Sequence, residues 1–183
     1  MANPPKPFAV ELQPHNVEWR RRAREEADKL KHTAGENLLT VHHVGSTSIP
    51  GIRAKPIIDL LPVVADLRRL DLERADFEAL GYVWMGELGL RGRRYCFRDD
   101  PQSGKRMFQL HCYQSGSKEI VRHLAFRDYL TAKPEIARRY EAEKLRCQTL
   151  HRDDHHAYGA CKSAWIEGIE ADAVAWHRPS GGG

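Results

Sequence analysis

The sequence predicts an α+β fold, a mixed β-sheet packed against helices with a helical C-terminal third. Three observations carry that prediction. The run "PIIDLLPVV", residues 56–64, is almost wholly apolar, the pattern of a central strand covered on both faces. Strand-like runs and two helical stretches flank it, in an order that is not a regular strand–helix alternation. After Ser117 the apolar residues recur at helical spacing.

Residues 1–14 read as an extended arm, because Pro4, Pro5, Pro7 and Pro14 break helices. Asn16 can cap a first helix to about Lys31 with Val17, Ala23, Ala27 and Leu30 inward. A strand over 38–44 and a loop over 45–54 precede the apolar strand. Asp66 can cap a second helix to about Leu80, ended by Gly81. Strands then follow over 82–88, 93–98 and 106–113, with "DDPQSGK" as a turn. Ser117 caps a helix facing inward through Ile120, Val121, Leu124 and Leu130. Pro134 opens the next, where its missing N–H is harmless, and Ile136, Tyr140, Cys147 and Leu150 face inward. A last helix carries Tyr158, Cys161, Trp165 and Ile169. Residues 15–176 form one domain, and 177–183 read as a flexible tail.

The chain has 183 residues, 41% apolar and 30% charged, the make-up of a soluble globular domain. No apolar stretch approaches the roughly 20 residues that span a bilayer. The N-terminus lacks a hydrophobic signal core, so a cytoplasmic protein is expected. Cys96, Cys112, Cys147 and Cys161 contain no CxxC pair and read as reduced, small apolar residues. A net charge of +4 is too mild to point to nucleic acid. Arg91, Arg93, Arg94, Arg98, Lys105 and Arg106 do cluster, as a solvated hairpin or as the wall of an anion site.

Chemistry concentrates in 45–61. Gly45 and Ser46 follow a strand, where a glycine permits close backbone approach and a hydroxyl can meet phosphate oxygens. Thr47 and Ser48 add hydroxyls, and Lys55 stands just before the apolar strand. Asp59 is a carboxylate among apolar residues, costly to bury unpaired. It reads as a Mg²⁺ ligand or as a structural ion pair with Lys55 or an arginine. Alternation puts Asp59, Leu61 and Val63 on one face, so the position for a second acid holds Leu61. His43, expected on the Asp59 face, and His111 could complete the site as metal ligands. Zinc ranks behind magnesium, and the His151/His155 pair lacks HExxH.

"HVGSTSIPGIRAKPIIDLL" resembles the signature of the GrpB family, in the DNA polymerase beta-like nucleotidyltransferase superfamily. "GYVWMGELGLRGRRYCF", "LHCY", "VRHLAFRDYLTAKPEIARRYEAEK" and "AYGACKSAWIE" extend the likeness from about Val10 to Ile169. The resemblance implies a nucleotidyltransferase-like fold. It places phosphate on Gly45 and Ser46 and a catalytic metal acid at Asp59, and His111 falls where a further acid would lie. It also implies Lys55, Arg93, Arg94, His123, Arg127, Tyr129 and Lys162 as pocket residues. The expected function is metal-dependent transfer of a nucleotidyl or phosphoryl group to a small acceptor, with Asp59, Lys55 and His111 catalytic. The alternative is a non-catalytic module for a nucleotide, a CoA-like compound or another anionic metabolite. The expected partner is a small anion, with neither membrane nor nucleic acid.

Overall fold

The computed structural model describes residues 7–177. Five strands form one mixed sheet in the order β1-β2-β5-β4-β3. They are β1 (Leu38–Val44), β2 (Ile58–Val64), β3 (Val83–Trp84), β4 (Arg93–Asp99) and β5 (Arg106–Gln114). Only β2 and β5 pair in parallel, so the chain crosses over between them while the other neighbours run antiparallel. The solid apolar pattern of β2 follows from its central place, since both of its faces are covered.

One face carries the main core. Ile58, Leu60 and Val64 of β2 and Leu110 and Cys112 of β5 pack against Ala23 and Leu30 of α1 (Glu18–Ala34). The Asn16 side chain accepts from the Glu18 N–H, as its capping role requires. The inner face of α1 differs from expectation: Val17 is 76% exposed, and Trp19 is buried in its stead. Glu26 is also buried, where it accepts from Arg98 at 2.7 Å and from the Tyr82 hydroxyl at 2.8 Å. The helix expected over 66–80 is divided at Glu73 into α2 (Leu67–Leu72) and α3 (Arg74–Ala79). Asp66 caps α2 through the Arg68 N–H.

The other face meets α4 (Lys118–Ala132), whose Ile120 and Leu124 cover Val44, Leu61 and Tyr113. Val121, expected inward, is 45% exposed. Helices α5 (Pro134–Leu150) and α6 (His155–His177) build a second core with the loop after β1. There Ile49 and Ile52 pack with Leu130, Ala137 and Tyr140. Lys144, not Leu150, takes the inward position near the end of α5, and its ammonium donates to the Arg53 carbonyl. The arm over 7–14 is extended and strapped down. Val10 donates to the Arg152 carbonyl at 2.7 Å, Gln13 bridges to Ala54, and Phe8 stacks on His155. His177 still belongs to α6. The rest of the expected tail, 178–183, and residues 1–6 of the arm lie outside the described residues. No helix among the described residues is long and apolar enough to cross a membrane.

The cysteines depart from expectation. Cys96 and Cys112 are free and buried, but Cys147 and Cys161 form a disulfide between α5 and α6. A short turn joins the two helices, and their packing brings together cysteines 14 residues apart in sequence.

Candidate functional site

Strand β1 ends at Val44, which lies opposite Asp59 of β2. The next residue, Gly45, has φ +70° and ψ −173°, backbone that is essentially reserved for glycine. A Cβ added there would sit 2.3 Å from Asp59 Oδ2 and 3.0 Å from Asp59 Cβ. The glycine is thus required because the backbone passes directly over the carboxylate. A 3-10 turn over Ser46–Ser48 follows, and the Ser48 hydroxyl donates to the Gly45 carbonyl at 2.6 Å.

Asp59 and His111 occupy neighbouring parallel strands on the same sheet face. Asp59 Oδ1 and His111 Nε2 are 3.4 Å apart. The His111 ring lies between Tyr95 of β4 and His123 of α4, at centroid distances of 5.4 and 5.7 Å. Its buried Nδ1 has no partner among the described residues. Burial pushes the Asp59 carboxyl up, but His111, Lys55 and Lys162 together outweigh it and hold the group below its ordinary value. Asp59 is therefore an anion at neutral pH.

Above this pair opens a cavity of about 280 Å³. Gly45, Ser46, Lys55, Asp59, His111, His123 and Lys162 line it, together with Gln109, Arg122, Phe126, Tyr140, Tyr158 and Glu170. The Tyr140 hydroxyl of α5 accepts from Ser46 Oγ at 3.3 Å and from Lys162 Nζ at 3.5 Å. Both Lys55 and Lys162 lie over the Tyr158 ring, at 5.3 and 5.4 Å, and Lys55 also lies over Phe8. Burial and then repulsion from Lys162 push the Lys55 ammonium down to about 8, against the pull of Asp59. Lys55 so remains mostly charged at neutral pH. His123 is pushed down to about 4, first by burial and then by the His111 and Arg122 charges. Its Nδ1 lies 2.8 Å from the Glu119 carbonyl, which fixes the proton on that nitrogen and leaves Nε2 as an acceptor.

Six expected residues lie elsewhere. His43 pairs with Leu60, on the α1 face, so it is directed away from the Asp59 face. Its Nε2 bonds to Thr47 Oγ1 at 2.9 Å, and Thr47 is buried. Neither can meet a ligand in the cavity. Arg93 is on the site face, but its guanidinium is spent on the Glu87 and Leu88 carbonyls and stacks on Tyr95. Arg94 is on the opposite face, bound in two-pronged fashion to Asp71 at 2.5 and 2.7 Å. Arg127 holds the His43 carbonyl and Asp128. Tyr129 packs edge-on against Trp176. Conversely, Gln109, Arg122, Tyr140, Tyr158 and Glu170 were not anticipated as site residues. Gln109 was signalled by its place two residues before His111, and Tyr158 by its i,i+4 spacing to Lys162.

Residues 9–172 match the GrpB protein family. The chain belongs to the GrpB family. A Bacillus subtilis relative, UPF0157 protein YqkA, is 38% identical over 169 residues, covering 92% of this chain and 48% of that one. The chain thus spans about half the length of this relative. Glutamate-rich protein GrpB of Alkalihalophilus pseudofirmus is 30% identical, covering 87% of this chain and 93% of its own. The crystal structure of conserved protein GrpB from Enterococcus faecalis superposes with a TM-score of 0.86 at 40% identity, covering 92% of this chain and all 100% of that one. A more distant likeness, to Cid1 in complex with the UTP analog UMPNPP, has a TM-score of 0.51 at 11% identity. It covers 81% of this chain and 48% of that one. This likeness shows the fold alone, a mixed sheet packed against helices similar to the nucleotidyltransferase fold.

Proposed function

We propose that this GrpB-family protein binds a nucleotide-like phosphate anion together with one divalent metal ion and transfers a nucleotidyl or phosphoryl group to a small acceptor. The observation that supports this reading is the Asp59 Oδ1–His111 Nε2 separation of 3.4 Å on the floor of the cavity, a spacing suited to two ligands of one cation. The ordinary metal–ligand distances of about 2.0–2.2 Å fit that span. One carboxylate and one imidazole form a mixed oxygen and nitrogen set. Mn²⁺ and Zn²⁺ suit it at least as well as Mg²⁺, which favours oxygen ligands.

When bound, the ion would neutralise phosphate charge and polarise the phosphorus centre. The protein's own groups do the rest. Lys55 and Lys162 are placed to hold phosphate oxygens, with Ser46 as a hydroxyl donor at the same wall. Phe126 and Tyr158 offer apolar surface for the ligand's organic part. Nε2 of His123 can take the proton of an attacking hydroxyl, weakly, given how far its basicity is depressed. We place this activity in the cytoplasm, where nucleoside phosphates are plentiful.

A second reading is favoured by Leu61. It is fully buried, packed with Val44 and Tyr113, where a two-metal transferase would place another carboxylate. On that reading the protein binds the anion without transferring it. Incubation with each nucleoside triphosphate and Mn²⁺, followed by mass spectrometry of the small molecules, separates the two. Pyrophosphate release that is lost in Asp59→Asn supports transfer. Ligand-induced stabilisation without any product supports the binding module; stabilisation by neither nucleotides nor inorganic phosphate removes both. Ligand at 100 times its dissociation constant should add about 2.7 kcal/mol of stability.

A further inference from the structure

The disulfide stands next to the cavity wall. Cys161 directly precedes Lys162 on α6, and Cys147 lies two turns after Tyr140 on α5. Tyr140 stacks on Trp165 of α6 and accepts from Lys162 and Ser46, so Tyr140 and Lys162 link α5, α6 and the Ser46 loop across the cavity. Cys147 is fully buried and Cys161 is half-buried, so the bond can be approached from the Cys161 side.

The surroundings are those of a reactive pair rather than an inert staple. Arg146 Nη2 lies 3.4 Å from Cys161 Sγ and 3.7 Å from Cys147 Sγ. Glu143 holds that guanidinium in place with contacts of 2.7 and 2.8 Å. Glu143 and the two sulfurs are close enough to suggest a metal cluster. The guanidinium already supplies the positive charge there, and it would repel a metal cation. A fixed guanidinium favours thiolate, against the opposing Glu143 Oε1 that lies 3.5 Å from Cys147 Sγ, and so helps a sulfur to leave in thiol–disulfide exchange.

We propose that the Cys147–Cys161 disulfide is a reversible redox switch that sets the position of Tyr140 and Lys162 in the cavity wall. A thiolate of a small or protein dithiol attacks Cys161 Sγ. The Cys147–Cys161 bond breaks, and Cys147 leaves as a thiolate beside Arg146. The second thiol of the dithiol then attacks the mixed disulfide and releases Cys161. The dithiol loses two electrons and becomes a disulfide; the protein gains them as two thiols, which take up the dithiol's two protons. A disulfide oxidant reverses the sequence. Without the bond α5 and α6 are free to shift, and the contacts of Tyr140 with Lys162 and Ser46 loosen.

The test is hydrogen–deuterium exchange of the full chain, oxidised and after treatment with millimolar dithiothreitol under native conditions, with thiols counted in parallel. It needs no nucleotide, so its result is separable from the functional reading. Reduction should expose two thiols and raise exchange over 44–49 and 157–166 by about tenfold, with the β2–β5 core unchanged. Glutathione disulfide should restore protection. Cys161→Ser should show the raised exchange with or without reductant; should that variant misfold, the reduced wild-type chain gives the same reading. A bond that survives until the protein unfolds overturns the proposal. So does a reduced protein whose exchange over those two segments matches the oxidised one.

Discussion

Replacing Gly45 by alanine tests the physical basis of the site. Two costs add. The backbone at φ +70°, ψ −173° is strained for any residue with a Cβ, by about 1–3 kcal/mol. The new methyl would also stand 2.3 Å from Asp59 Oδ2 and 3.0 Å from Asp59 Cβ and Cγ. The oxygen alone could rotate away, but the Cβ contact requires the strand or the loop to move. Overpacking of this kind costs about 1–3 kcal/mol. Gly45→Ala should therefore lose about 2–6 kcal/mol, a large part of a typical domain's stability. Gly168→Ala is the matched control, because Gly168 is helical with nothing within 4 Å of its would-be Cβ. That change should stabilise by about 0.5–1 kcal/mol. Urea unfolding followed by circular dichroism measures both. A loss below about 1 kcal/mol for Gly45→Ala, at unchanged denaturant slope, would refute the reasoning.

Acidification should destabilise the protein well before its carboxylates titrate. His43 and His123 are both pushed down to about 4, each chiefly by burial, whereas unfolded histidine keeps its ordinary value of 6.5. Between those values the unfolded state binds more protons, so stability falls as pH drops from about 6.5 to 4, by up to about 3 kcal/mol for each histidine. His123→Gln should flatten this limb; an unaltered limb would count against the assignment. Asp59 acts at lower pH. Its folded value is depressed, so its contribution is present above the ordinary carboxylate range and disappears as pH falls through the folded value. Glu26→Ala would leave Arg98, with only 16% of its side chain exposed, facing an empty site. Breaking such a buried pair should cost about 3–5 kcal/mol by the same unfolding assay, and a loss under about 1 kcal/mol would show the pair to be dispensable.

Asp59 was legible in the sequence because a charge in a central strand stands out against apolar neighbours. The sheet strands were legible for the same local reason, although the strand expected over 82–88 shortens to two residues before the Gly86 and Gly89 turns. His43 was misplaced for a definite cause. Alternation along β1 gives two sets of side chains but does not say which set faces which layer; only pairing with β2 does, and it puts Val44 rather than His43 opposite Asp59. The clustered arginines were equally ambiguous. Arg93 and Arg94 are adjacent, so they must lie on opposite faces, and each is consumed by a partner that lies distant in sequence or within a turn. Tyr140 and the disulfide depend on how α5 packs against α6, which helical periodicity does not disclose. The family resemblance supplied Lys162, which composition alone does not mark.

The most direct measurement is binding of Mn²⁺ with a nucleoside triphosphate, followed by electron paramagnetic resonance and calorimetry, on the wild type and on Asp59→Asn. Asn is nearly isosteric, so the fold should persist, at a somewhat lowered melting temperature because the favourable contacts of the carboxylate with His111, Lys55 and Lys162 are lost, while the anionic ligand for the metal is gone. The Asp59–His111 pair as a cation site predicts that the wild type binds metal and nucleotide together, each strengthening the other, and that the variant loses the metal dependence. Equal metal-dependent binding by the two proteins, or no joint binding by the wild type, would contradict it.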